Sequence, residues 1–280
     1  MPAASQANLP RDRFTGSWQL PARWQWLIRL FRWYSRRYVR KHFHAVRLSR
    51  SGAQFPPASN EPLLVVLNHP SWWDPLICIV LSQLMAKHDH YAAIDAVAVN
   101  RYRFFKKLGF VAVDTKTLRG AAEFIRAGLT ILSRPNRVFW VTAQGRFTDV
   151  RERPLNIQAG VAHLAARLTE GYVLPLALEY SFWTERTPEA LIRVGPLLSI
   201  KAYQGYSAKQ WLTLIESALT QNLDQLNFET RSRDPTHFWI LLEGRSGVGG
   251  VYDRWRRLNS WLRGKRFDPA HEAVLQEKRS

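Results

Sequence analysis

Apolar positions recur along the chain with two periods, and the change from one to the other marks the elements. Residues 1–16 are polar and aperiodic and read as a loose arm. Over residues 18–46 a 100° step places Trp24, Leu27, Ile28, Phe31, Tyr34 and Tyr38 on one helical face, with Arg29, Arg32, Arg36 and Arg40 opposite. Such a basic amphipathic helix suits a lipid surface, where the apolar face sinks into the headgroup boundary and each arginine adds about 1 kcal/mol. It equally suits packing on the protein's own core with a solvated basic face. Trp26 and Trp33 fall off the apolar stripe and favour the lipid surface, where interfacial rings are useful.

Residues 45–48 suggest a short strand, and residues 51–62, rich in Pro, Ser and Asn, a loop. Leu63 to Leu67 is an apolar run bounded by turn residues and reads as a buried strand. Asp74 before Pro75 predicts a helix start, with Asp74 as N-cap, Pro75 at the first helical position and the helix running to about Lys87. Strands are expected over 91–99 and 109–113 around a basic, aromatic segment, then a helix over 118–133, a strand over 137–142, a helix over 159–168 and a strand over 172–180. This alternation implies an α/β fold, a mixed sheet covered by helices on both faces. The last third predicts helices over 208–226 and 251–263, the second with Trp255, Leu258 and Leu262 on one side. Residues 244–250 are glycine-rich but lack the Gly-Lys-Ser/Thr ending of a phosphate-binding loop and read as a turn. The expected division is a helical membrane-contact element over 1–46, a core over 47–200 and a helical C-terminal extension, packed on the core, over 201–280.

Charge and tryptophan narrow the partners. Among 280 residues, 40 Lys+Arg against 22 Asp+Glu leave a net charge of +18, which attracts anionic surfaces. Twelve tryptophans favour a lipid interface among those surfaces over nucleic acid, for which no motif is visible. The single Cys78 excludes an intramolecular disulfide and a cysteine-rich metal site, and its apolar neighbours make it a core residue. His88-Asp89-His90 reads as an exposed loop, so no metal is expected. No run approaches the roughly 18 apolar residues a membrane span needs, and no signal-peptide pattern opens the chain. The expectation is peripheral attachment to the cytoplasmic face of a membrane.

The segment Leu67-Asn68-His69-Pro70-Ser71-Trp72-Trp73-Asp74-Pro75 puts an imidazole just past a strand and a carboxylate at the next helix start. An Asp that accepts from one ring nitrogen fixes the tautomer and leaves the other nitrogen free to take a proton at neutral pH. This stretch resembles the His-x-x-x-x-Asp signature of the glycerolipid acyltransferase superfamily, which includes the 1-acylglycerol-3-phosphate acyltransferases. Three further segments are similar to the superfamily's later blocks, in the same order: Gly109 to Asp114, Val141 to Thr148 and Val173 to Leu176. Two positions depart from the pattern. Ala143-Gln144 stands where Pro-Glu is usual, and Asp114-Thr115 lacks the arginine often found there.

The resemblance implies transfer of a fatty acyl group from acyl-CoA or acyl carrier protein to a hydroxyl of a lysophospholipid or related lipid acceptor. His69 would be the general base and Asp74 its orienting partner, with Asn68, Gly109, Arg119, Gln144, Gly145 and Arg146 on the substrate side. Arg101, Arg103, Lys106 and Lys107 are further phosphate ligands or a solvated basic face. No cofactor is expected, because a thioester is already activated and the difficult step is deprotonating and positioning the alcohol. The helix start after His69 is the expected source of oxyanion donors. Two other classes stay open at this point: a catalytically silent lipid-surface binding protein of the same fold, and a basic nucleic-acid-binding protein. The oligomeric state is open as well.

Overall fold

Five consecutive apolar residues are buried together when a strand is covered on both faces, and Leu63–Leu67 meets that condition at every position. The computed structural model describes residues 19–245, so the expectations for residues 1–18 and 251–263 lie outside the described residues. In chain order the elements are α1 (Gln25–His42), β1 (Ala45–Ser49), β2 (Leu63–Leu67), α2 (Asp74–Ser82), β3 (Asp89–Asp95), α3 (Ala96–Arg101), α4 (Phe105–Leu108), β4 (Phe110–Val113), α5 (Leu118–Ile131) and β5 (Arg137–Thr142). There follow α6 (Ala159–Ala165), β6 (Tyr172–Ser181), β7 (Glu189–Val194), β8 (Leu198–Ser199), α7 (Ala208–Ser232) and β9 (Phe238–Glu243).

The strands form one mixed sheet in the order β4-β3-β5-β2-β6-β7-β1-β9, with β8 paired to β6. From β4 to β6 all neighbours are parallel, β7 is antiparallel to β6, β1 is parallel to β7, and β9 is antiparallel to β1. Side-chain alternation divides the core between two faces. Leu64, Val66, Phe139 and Val141 point to the face covered by α5, α6 and α7, where Phe124, Leu164, Trp211 and Leu219 meet them. Leu63, Val65, Leu67, Val138 and Trp140 point to the other face, covered by Val39 of α1 and Leu76, Ile77, Val80 and Leu81 of α2. The expected helices on both faces are therefore present.

Several local expectations need correction. Asp74 is the first helical residue rather than the N-cap, which is Trp73, and α2 stops at Ser82 instead of running to about Lys87. Turns fill the segment up to Lys87. Residues 96–99 are helical rather than strand because the Asp95 carboxylate accepts the Val97 N–H at 2.7 Å and starts α3. Strands β7 and β9 were not anticipated. The residue 46 boundary falls inside β1, and β9, from the C-terminal segment, pairs with β1 in the same sheet. Along α1, Phe31 and Tyr38 are partly buried and Ser35 and Val39 fully buried, whereas Trp26, Leu30, Trp33 and Tyr34 are exposed. The apolar stripe thus serves the protein's own core in part, and the rings left outside include both that lay off the stripe. Among the described residues no helix is long and apolar enough to cross a membrane.

Candidate active site

Three neighbouring parallel strands, β5, β2 and β6, each deliver one part of the site near their carboxyl ends, where open α/β sheets present their ligand crevices. Leu67 at the end of β2 is in register with Thr142 of β5 and Leu176 of β6. Asn68 comes next, and its side chain is consumed by the sheet: Nδ2 donates to the Leu178 carbonyl at 2.8 Å and Oδ1 accepts the Leu178 N–H at 2.9 Å. At 2% exposure it clamps β2 to β6, which corrects its expected place on the substrate side.

His69 Nδ1 lies 2.5 Å from Asp74 Oδ2. An ionised carboxylate can only accept, so Nδ1 carries the proton and Nε2 keeps its lone pair. Asp74 is fully buried, which for a charge requires good partners. Besides His69, the Ser71 N–H reaches Oδ2 at 3.3 Å and the Tyr180 hydroxyl donates to Oδ1 at 2.7 Å. Burial first, and the Asp74 charge second, push the Tyr180 hydroxyl well above its ordinary pKa, so it remains a donor. Tyr180 was missed in the sequence because nothing in its spacing signals that β6 carries it to a carboxylate 106 residues away. Phe147 packs its ring 4.5 Å from the imidazole, and Nε2 has no hydrogen-bond partner among the described residues. The amides of Ser71, Trp73 and Asp74 are engaged within the turn, which leaves the Trp72 N–H as the one amide of that turn without a hydrogen bond among the described residues.

The loop after β5 holds His69 from behind. Gln144 Oε1 accepts the His69 backbone N–H at 2.9 Å, Gln144 Nε2 donates to the Leu155 carbonyl at 3.2 Å, and the Thr148 N–H donates to the His69 carbonyl at 3.0 Å. At 3% exposure, with both ends of its amide occupied, Gln144 offers an acceptor nothing; the expectation that it binds substrate is corrected to one of positioning His69. Gly145 makes the following turn with φ of +64°, a conformation glycine adopts without strain. Arg146 is exposed and bonded to Glu152 at 2.6 Å. Arg119 is exposed on α5 and bonded to Glu123 at 3.0 Å, one helical turn on, so its guanidinium is directed along its own helix. Gly109 caps α4 with φ of +98°, and a Cβ there would meet the His90 carbonyl at 2.7 Å. It belongs to the wall of a cavity and not to the His69 loop.

That cavity, of about 100 Å³, lies between α1, α2 and the sheet. Asp74, Leu67 and Thr142 line it near the dyad, and Ile28, Phe31, Ile79 and Trp140 supply apolar wall. Cys78 also lines it, and burial followed by the Asp74 charge pushes its thiol well up. His90, with Arg23 and Arg32, lines the cavity as well; burial pulls His90 down to about 4. Asp89 is ion-paired with Arg23, so the 88–90 segment is partly built into the protein instead of forming a free loop. Among the described residues no group of three or more His, Cys, Asp or Glu side chains is placed to hold a metal ion.

Against the curated proteins the chain finds no match. A protein-family model described as acyltransferase does match, over residues 35–179, a span that begins in α1, includes His69, Asp74 and the Gln144 loop, and ends one residue before Tyr180. With more than half of its length so matched, and with its motifs set on adjoining strand ends of an α/β sheet, this chain belongs to the acyltransferase family.

Proposed function

We propose that the protein moves a fatty acyl group from acyl-CoA or acyl carrier protein to a hydroxyl of a lysophospholipid or related lipid acceptor at an anionic membrane surface. The observation that carries this reading is the His69–Asp74 pair beside an apolar cavity whose wall includes Asp74. In the proposed reaction His69 Nε2 takes the acceptor's hydroxyl proton as its oxygen attacks the thioester carbonyl. The tetrahedral intermediate then expels the thiolate, which recovers that proton from the imidazolium and leaves as thiol. Asp74 stabilises the transient imidazolium and keeps the ring in one tautomer, and Tyr180 and Ser71 hold Asp74 in turn. General-base assistance of this kind contributes about 10²–10⁴-fold. The acyl chain occupies the cavity.

The membrane part of the proposal is supported by the exposed apolar side chains of α1, notably Trp26, Leu30 and Trp33, and by those of Val97, Tyr102 and Phe104 in the α3–α4 segment. Phe31 meets Phe104 edge-on, and Lys107 lies 5.1 Å from the Trp24 ring, so α1 and the α3–α4 segment form one surface. An open groove of about 670 Å³ at the other end of α1 is lined by Trp33, Arg36, Arg37, Arg40, Lys41 and Arg245, which suits anionic headgroups.

The test is acyl transfer by the purified protein to lysophosphatidate in anionic vesicles, compared with His69→Ala. Loss of turnover with retained folding supports the assignment, and substantial turnover by His69→Ala removes it. For the membrane, Trp26→Ala combined with Trp33→Ala is a better probe than deleting residues 1–46, which would take Val39, Phe43 and Val46 out of the core. The double variant should sediment less with vesicles, and equal sedimentation would place the anchor elsewhere.

A further inference from the structure

Two rulers give the cavity its length. On β3, His90 and Ile94 both line it, and four residues at about 3.3 Å each put them about 13 Å apart. On α2, Asp74 and Ser82 both line it, and eight residues at a rise of about 1.5 Å put them about 12 Å apart. The cavity therefore runs from Asp74 along α2 to a far end where Arg23, Arg32 and His90 converge. An extended hydrocarbon advances roughly 1.25 Å per carbon at a bond length near 1.5 Å, so about ten carbons match that length, and the cavity of about 100 Å³ has to widen to admit them.

A purely aliphatic chain would need an apolar far end, and this one is basic. Two of the three basic groups are already committed. Arg23 is ion-paired with Asp89 and lies 4.7 Å from the Tyr91 ring. His90 accepts the Trp140 indole N–H on Nδ1 at 3.1 Å, which leaves Nε2–H to donate to the Met85 carbonyl at 2.9 Å. Arg32 differs. It is half-buried, and its guanidinium makes no hydrogen bond or ion pair with any described residue. Burial, and after it the charge of Arg23, lower its pKa, as expected of a cation lacking a counter-charge. A guanidinium presents five donors in a planar fork that matches a carboxylate and also serves a hydroxyl.

We propose that Arg32 receives an oxygen-bearing group, a carboxylate or hydroxyl, carried by the acyl chain about ten carbons from the thioester. The protein then selects ω-oxygenated acyl donors over plain ones of the same length. This rests on the proposed reading of the cavity as the acyl site, and the test separates the two.

The full-length protein is offered decanoyl-CoA in competition with ω-hydroxydecanoyl-CoA, and separately with the CoA thioester of decanedioic acid, against one acceptor. The oxygenated donor is expected to win by tenfold or more, and the two competitions show whether hydroxyl or carboxylate is preferred. Arg32→Met keeps the alkyl stem and should abolish the preference, and Arg32→Lys should restore part of it. A binding arm uses His69→Ala protein and displacement of a fluorescent fatty acid by monomethyl decanedioate or by methyl decanoate, which has no carboxylate. The half-ester with its free carboxylate should displace at least tenfold better, and the gap should close when Arg32→Met is added. A wild-type preference for decanoyl, a preference surviving Arg32→Met, or equal displacement by the two esters would overturn the subsite. Absence of transfer from every thioester would sink the acyltransfer reaction proposed above, while the displacement ratio would still score Arg32.

Discussion

Replacing Gln144 by Glu supplies the carboxylate usual at this position in the related motifs, and the structure gives a definite expectation for it. Gln144 Oε1 accepts the His69 N–H at 2.9 Å and Nε2 donates to the Leu155 carbonyl at 3.2 Å, at 3% exposure. An ionised Glu keeps the first bond and sets its second oxygen against a carbonyl oxygen. Leaving a buried acceptor unpaired costs about 1–3 kcal/mol, and burying the carboxylate adds to that. The stronger bond from the His69 N–H to a charged acceptor offsets part of it, so the net loss near pH 8 is about 2 kcal/mol. A protonated Glu escapes the conflict by donating to Leu155. The folded state therefore raises this carboxyl above its unfolded pKa of about 4.3. With more protons bound in the folded state, stability falls as pH rises through that interval. The variant should match wild type near pH 4.5 and fall progressively behind it towards pH 8, by about 4–8 °C in melting temperature for a chain of this size. Urea unfolding at both pH values measures the gap. Because Gln144 is walled off from the crevice, the ranking of lipid acceptors should be preserved. A gap independent of pH, full stability at pH 8, or an acceptor ranking reordered severalfold would each refute the reasoning, the last by showing that position 144 touches substrate.

Tyr180→Phe removes one charge-assisted bond from buried Asp74 and should cost about 2 kcal/mol of stability while lowering kcat and moving its pH profile; an unmoved profile would leave Tyr180 a packing residue. Cys78 lies one helical turn beyond Asp74 on the cavity wall, so Cys78→Phe should shorten the space and shift donor preference towards shorter acyl chains in a competition assay. His90, held at about 4 by burial against about 6.5 when unfolded, is neutral in the fold; on acidification the unfolded chain gains the proton first. Stability should therefore fall by about 3 kcal/mol between pH 6.5 and 4, and His90→Gln should flatten that part of the profile in denaturant titrations.

The candidate dyad and the strands that carry it were legible because they depend on local spacing. Leu63 to Leu67 could only be a strand buried on both faces, and a His just past it with an Asp at the following helix start meet across a turn of five residues. The superfamily blocks added order but not geometry. Strand β9 was illegible for a physical reason: as an edge strand it leaves Trp239 and Ile240 exposed, and its apolar positions do not alternate cleanly. Strand β7 begins with a charged residue whose partners are remote: Glu189 is satisfied by His44 and Arg47, far upstream.

The sequence by itself determined the α/β alternation, the His69–Asp74 pairing and the basic, tryptophan-rich character of the surface. Only the tertiary structure decided which polar residues face a substrate. Asn68 and Gln144 sit beside His69 in space yet spend both ends of their amides on backbone 110, 75 and 11 residues away, and Tyr180 reaches Asp74 across 106. Those contacts follow from β2 lying between β5 and β6, an order that arises from long-range packing of the two core faces and that no local pattern encodes. The same holds for Arg32, which helical periodicity puts on a solvated face of α1. The sheet and α2 turn that position towards a cavity, because Ser35 and Val39, one and two turns further along α1, are the buried residues of that helix.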